Sequence, residues 1–202
     1  MKTVNSKKMN KGYSLIEMLI SLALFSIVVM IAISGLALIT DANRRAEATR
    51  RIIDNLDFIV EDMVRTTRQG NRYHCGDFSD YDAEVTTGQS GIGSSRNCVD
   101  GDYLAFEASG GDNTDPSDQV VYRFNGGIIE KITDPINGSF VQVSDPQIEI
   151  QKLKFYVTGS QSNDNTPARV LVILKAVTGR EGTSDRTVFN LQTTITQRGT
   201  DL

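Results

Sequence analysis

Glu17 is the residue whose setting first asks for a chemical explanation. It is the only charged side chain between Lys11 and Asp41. An acidic residue in such an apolar run costs about 2.5–3.5 kcal/mol at mid-bilayer, and residues of this kind are usually kept for a task. Two roles are open to it. Its carboxylate either pairs with a cation inside an apolar environment or stays solvated among lipid headgroups. The two cysteines, Cys75 and Cys98, form the second chemical pair. They serve as a disulfide, as two free thiols or as a redox couple, and the absence of a C-x-x-C spacing favours the disulfide. His74 is the only histidine, which removes His-based triads and multi-histidine metal sites, and its place in a polar stretch predicts a solvated loop residue. Asp112-Asn113-Thr114-Asp115-Pro116-Ser117-Asp118 offers hard oxygen ligands of the kind Ca²⁺ takes, but without EF-hand spacing or its terminal Glu. A solvated acidic loop is the expectation, with no metal site. The chain has no phosphate loop, no G-x-S-x-G and no H-E-x-x-H. No enzymatic activity and no cofactor are expected.

The element that must position Glu17 is a long helix. Four lysines, Lys2, Lys7, Lys8 and Lys11, precede it with no acidic residue among the first twelve. The apolar run from Met18 to Ile39 follows, roughly 22 residues or about 33 Å of helix, enough to cross a bilayer. A secretory signal has a shorter apolar region and an A-x-A-like cleavage site. The basic end is expected to remain in the cytoplasm, so the rest of the chain lies outside, where disulfides persist.

The helix continues beyond the apolar run. No Pro or Gly occurs between Asp41 and Gln69. Ala42, Ala46, Thr49, Ile53, Leu56, Val60, Met63 and Thr67 recur at steps of three and four, with Ile52, Ile59 and Val64 beside them, as in an amphipathic helix. Glu47–Arg51 and Glu61–Arg65 are acid-first i,i+4 pairs, each worth a few tenths of a kcal/mol. Gly70-Asn71 supplies a stop. One helix over 13–69, with its transmembrane part in 15–39, would be about 85 Å long.

Past Gly70 the pattern changes. Residues 71–101 are rich in Gly, Ser and Asp and are predicted as loop. A disulfide closing this stretch would contribute roughly 3 kcal/mol in the chain-entropy picture. Strands are predicted at 103–107, 119–124, 128–132, 140–143, 148–157, 169–177 and 187–197, with Asn125-Gly126-Gly127 as a hairpin turn. Longer exposed loops are expected at 112–118 and 159–167. The fold class is therefore α+β. The long N-terminal helix packs its amphipathic half against one face of an antiparallel sheet in a domain over 70–202.

Charge narrows the partners. The net charge is −4, and from Gly70 onward 18 acidic residues outnumber 11 basic ones. Such a surface disfavours nucleic acid and anionic lipid as general ligands, so no nucleic-acid partner is expected.

The stretch Lys11-Gly12-Tyr13-Ser14-Leu15-Ile16-Glu17, abutting the apolar run, resembles the N-terminal signature of type IV pilins and pseudopilins. The resemblance implies removal of a leader, residues 1–12, by a prepilin peptidase that cuts between Gly12 and Tyr13. It also implies N-methylation of Tyr13 and an assembly role for Glu17. A pilin-like fold comes with it. Tyr13 stands where Phe is commoner, and the apolar span lacks the Pro that often loosens the helix of major pilins.

Shorter motifs narrow the resemblance. Asp62-Met63-Val64-Arg65 followed by Cys75, then Val120-Val121-Tyr122-Arg123-Phe124, then Thr193-Thr194-Ile195-Thr196-Gln197-Arg198, are similar to PilW-type minor pilins and to the J-type minor pseudopilins of type II secretion. That implies a minor subunit that helps initiate, prime or cap a filament. Its partners would be the prepilin peptidase, other pilin-like subunits met through the N-terminal helix, and the cytoplasmic (inner) membrane. It would be a single-pass membrane protein with its N-terminus in the cytoplasm, able to enter a surface or periplasmic filament. A membrane-anchored binding module or adhesin that never assembles is the competing reading, and an anchored extracytoplasmic enzyme a third. An intact leader would favour the binding module; a required metal or polar cleft would favour the enzyme.

Overall fold

The structure is a computed structural model that describes residues 12–79, 81, 95–112, 115–161, 166–179, 182 and 186–198. The predicted leader, except Gly12, lies outside the described residues, as do parts of the loops at 112–118 and 159–167. The chain divides into two compact units, Met1–Arg44 and Arg45–Leu202. A single helix, α1, runs over Leu15–Gln69 and so contributes to both.

In the first unit the helix is held by its own backbone ladder and by local side-chain bonds. Ser21, Ser26, Ser34 and Thr40 each return their hydroxyl to a carbonyl three or four residues back, at 2.8–3.0 Å. A hydroxyl satisfied in this way can enter lipid at little cost. The apolar side chains from Leu15 to Ile39, apart from the half-buried Val29, stand exposed within the unit.

In the second unit the same helix is amphipathic. Ile52, Leu56, Ile59, Met63 and Thr67 are buried, at steps of four, three, four and four. Fully burying apolar side chains of this size stabilises by about 1.5–3 kcal/mol each. The predicted Glu47–Arg51 and Glu61–Arg65 pairs form on the solvent side at 2.7 and 3.0 Å. The helix stops at Gly70, where a side chain has no room: an added Cβ would lie 2.8 Å from the Glu107 carbonyl and closer still to the Phe106 ring.

Nine strands follow: β1 Asn71–Gly76, β2 Cys98–Gly101, β3 Tyr103–Glu107, β4 Gln119–Asn125, β5 Ile128–Ile132, β6 Val141–Gln142, β7 Glu149–Thr158, β8 Arg169–Thr178 and β9 Thr187–Thr196. All seven predicted strands are present. The loop predicted for 71–101 is corrected at both ends, because β1 and β2 frame it. Both are short, polar and bulged, so neither shows the alternation that marks a strand.

The strands form two antiparallel sheets rather than one. The first has the order β1-β3-β4-β5-β6 and the second β2-β7-β8-β9. One core joins the helix to both: Leu56 and Met63 from α1, Leu104 and Phe106 from β3, and Leu153, Phe155, Val172 and Leu174 from β7 and β8 are all members. The first sheet is also covered on its other face. Tyr103, Ala105, Val121 and Ile132 meet Tyr81, Phe78 and Phe140 in a second cluster. The Arg123 guanidinium lies 3.6 Å from the centroid of the Phe140 ring and 4.4 Å from that of Phe78, while its Nε donates to Glu130 at 2.6 Å. This double covering explains why β3 is buried at every position. It also corrects His74, predicted to be solvated. His74 is only 1% exposed, on β1, with its ring edge-on to Tyr103.

Candidate functional site

The candidate site is the N-terminal turn of α1. Ser14 precedes the first helical residue, and its Oγ accepts a hydrogen bond from the Glu17 backbone N–H at 3.3 Å. Ser14-Leu15-Ile16-Glu17 is thus an S-x-x-E arrangement, the sequence of a capping box, with the glutamate at the third helical position. A carboxylate in the first turn also complements the positive end of the helix dipole, an interaction worth typically 0.3–1 kcal/mol at an exposed site. Sequence reasoning singled out Glu17 for its charge and overlooked Ser14; the three-residue spacing between a serine and a glutamate was the available signal.

Among the described residues, the Glu17 side chain makes no ion pair and no hydrogen bond. It is presented rather than consumed. Gly12 is equally uncommitted. A Cβ at Gly12 would meet nothing within 4 Å, and its φ lies outside the left-handed region. No packing in the structure asks for glycine there. Gly12, Tyr13 and Glu17 therefore lie together at the head of an apolar helix, exposed among the described residues.

The remaining predicted residues lie in the second unit. Cys75 on β1 and Cys98 on β2 are disulfide-bonded, with 5.7 Å between their Cα atoms. Because β1 belongs to the first sheet and β2 to the second, the bond staples the two sheets in addition to closing a loop. Gly101 makes room for it, since a Cβ there would lie 3.0 Å from the Cys75 Sγ and 2.8 Å from the Gly76 nitrogen.

The motifs of the narrower resemblance meet in space. Asp62 Oδ2 on α1 accepts from the Tyr122 hydroxyl at 2.6 Å and from Lys131 Nζ at 2.8 Å, and Thr66 Oγ1 lies 2.9 Å from the same hydroxyl. Burial acts to raise the Asp62 pKa, but the bonds from Lys131 and Tyr122 outweigh it and hold it below the usual range. Burial, followed by the neighbouring Asp62, pushes the Tyr122 hydroxyl well up. The helix end is secured again where the Arg198 N–H donates to the Arg68 carbonyl at 3.1 Å and the Tyr73 hydroxyl reaches the Thr67 and Gly70 carbonyls. These residues lock the helix to the sheets; none converges on an open cleft.

The acidic loop is also structural where described. Asp115 accepts from both the Ser117 N–H and its hydroxyl, capping the short 3₁₀ turn Pro116–Asp118. Asp118 accepts from the Asp112 N–H at 2.6 Å. No three His, Cys, Asp or Glu side chains converge on a metal position among the described residues. Beside this turn lies a buried carboxyl the sequence did not single out, Glu107, which is 1% exposed. Burial first, then the neighbouring Asp118, push it up to about 8, and Arg72 and Gln119 only partly oppose them.

The described residues thus hold one helix long and apolar enough to cross a membrane, with an exposed carboxylate at its head. Residues 7–33 match the prokaryotic N-terminal methylation motif. The match takes in Gly12, Tyr13, Glu17 and most of the apolar run, and it supports a type IV pilin-like protein. No curated protein and no solved structure matches the chain.

Proposed function

We propose that this chain is a minor pilin or minor pseudopilin, a structural subunit that helps initiate, prime or cap a type IV pilus-like or type II secretion-like filament. The observation that carries the reading is the head of α1, where Gly12, Tyr13 and Glu17 fall inside the methylation motif and their side chains have no partner among the described residues. Cleavage between Gly12 and Tyr13 removes the basic leader at the cytoplasmic face and creates a new α-amino group, which is then methylated. The apolar helix keeps the subunit in the membrane with its β-rich unit outside until assembly. The short motifs that meet at Asp62 and Tyr122 favour the minor-subunit assignment through their similarity to PilW-type and J-type proteins.

Glu17 is the assembly residue. Within a bundle of apolar helices its carboxylate needs a cation, and the side chains between Tyr13 and Asp41 offer none. The ammonium group at Tyr13, its own or that of an adjacent subunit, is the available partner. Pairing offsets the desolvation of both charges and fixes the axial register between subunits. Glu17→Ala tests this. Membrane insertion and leader removal should remain normal, while recovery in the filament or its initiating complex falls at least tenfold. Co-assembly equal to that of the wild type would reduce Glu17 to an interfacial residue. It would then favour the anchored binding module, the second reading.

A further inference from the structure

Each sheet has two edges, and three of the four are closed off. β6 has two residues. β2 has four, with a register shift, and its Asp100 has a φ of +62°. β1 is bulged, and its Tyr73 carbonyl accepts from the Arg96 N–H and the Ser160 hydroxyl at 3.1 and 2.7 Å. Shortness, bulges and covering bonds are the usual ways in which proteins blunt a sheet edge.

β9 has none of these devices. It is ten residues long, pairs with β8 without a register shift, and contains no charged residue and no proline. The Gln197 N–H donates to the Ala168 carbonyl directly opposite, at 2.9 Å. Directly opposed residues of an antiparallel ladder alternate between bonded and non-bonded pairs. The odd-numbered positions of β9 therefore bond to β8. Val188, Asn190, Gln192, Thr194 and Thr196 turn their N–H and C=O groups outward, and all five are exposed. No backbone partner meets them among the described residues.

We propose that the β9 edge is a strand-addition site that takes an extended, uncharged segment of a different pilin-like subunit. This deepens the filament-subunit reading and rests on it. The backbone groups supply the affinity, and the neutral side chains let an acidic domain accept a neighbour without like-charge contact. A second copy is disfavoured by symmetry. β9 paired to β9 in antiparallel fashion is a two-fold, self-complementary contact, whereas neighbours along a filament meet through unlike surfaces.

Hydrogen–deuterium exchange on the full-length protein tests the site, comparing detergent-extracted monomer with the same protein in sheared filament fractions. The outward amides of 188–196 should exchange at least tenfold more slowly when assembled. Unchanged exchange in a chain that does enter the filament fraction overturns the edge proposal and leaves the subunit reading intact. Absence from that fraction overturns the subunit reading and the edge proposal with it. A photoreactive residue placed at Asn190 in intact cells identifies the occupant. A crosslink to a strand of another pilin-like subunit supports the proposal; a crosslink to β9 of a second copy, or none, overturns it. Gln192→Pro removes one outward donor, a change an edge strand tolerates, and should lower filament recovery about tenfold with an unchanged monomer melting temperature, while Gln192→Ala leaves recovery as in the wild type. Should the proline variant unfold, the exchange and crosslinking measurements still decide.

Discussion

Two stretches of one helix solve opposite problems. In the unit ending at Arg44, large apolar side chains such as Leu15, Phe25 and Leu38 are 60–80% exposed. In the unit beginning at Arg45, Ile52, Leu56, Ile59 and Met63 are no more than 2% exposed. The first stretch carries a nearly unbroken apolar surface; the second confines its buried residues to one stripe and keeps ion pairs on the other side. The difference shows where each finds its partners. The second stretch folds against its own strands. The described residues of the first form no core, and an apolar surface of this kind calls for lipid or other helices to cover it.

The comparison breaks most completely through Glu17. Glu17→Ala, which should cut filament entry at least tenfold, is expected to leave the melting temperature of the β-rich unit unchanged. Next in size is the staple between the sheets. Replacing Cys75 or Cys98 by Ser should lower stability by about 2–4 kcal/mol, read from denaturant midpoints, without affecting membrane insertion. Alkylation of the unreduced wild-type protein should label neither cysteine.

Asp62 comes third. Asp62→Ala leaves the Tyr122 hydroxyl and the Lys131 ammonium without their shared acceptor, and the loss should be about 1–3 kcal/mol. Unfolding monitored at both wavelengths sensitive to helix and to strand should still show one transition, because helix and sheets share a core. Two separated transitions would show that Arg45–Gln69 is not part of the unit.

The fourth prediction concerns pH. Glu107 is held protonated up to about 8, above its ordinary value near 4.5. The native state then binds a proton that the unfolded chain has released. Its contribution to stability is complete below about 4.5 and fades as pH rises through 8. Glu107→Gln should flatten that decline between pH 5 and 8, as measured by melting temperature. An unchanged slope would place the pH dependence elsewhere.

Much of this was legible in the residues themselves. The apolar run, the amphipathic stripe and all seven predicted strands follow from periodicity and composition. What escaped was set by tertiary covering. β1 and β2 are polar and short, and they count as strands only because β3 and β7 lie beside them. His74 reads as polar until the Phe78–Tyr81–Phe140 cluster closes over the outer face of the first sheet. The burial of Glu107 depends on the turn carrying Asp118, from across a loop. At the N-terminus the reverse holds. Gly12 and Glu17 stood out in the sequence because the apolar run isolates them, and the structure gives neither any internal work beyond a helix cap.

In the proposed function, α1 starts behind a leader and ends as the bare head of an assembling helix. The most direct measurement is the mass and first residue of the wild-type chain extracted from membranes. The expected chain begins at Tyr13 and carries one methyl group on its amino nitrogen. A mature chain that still begins at Met1, or one that begins after Ser34 or Gly35, would contradict it.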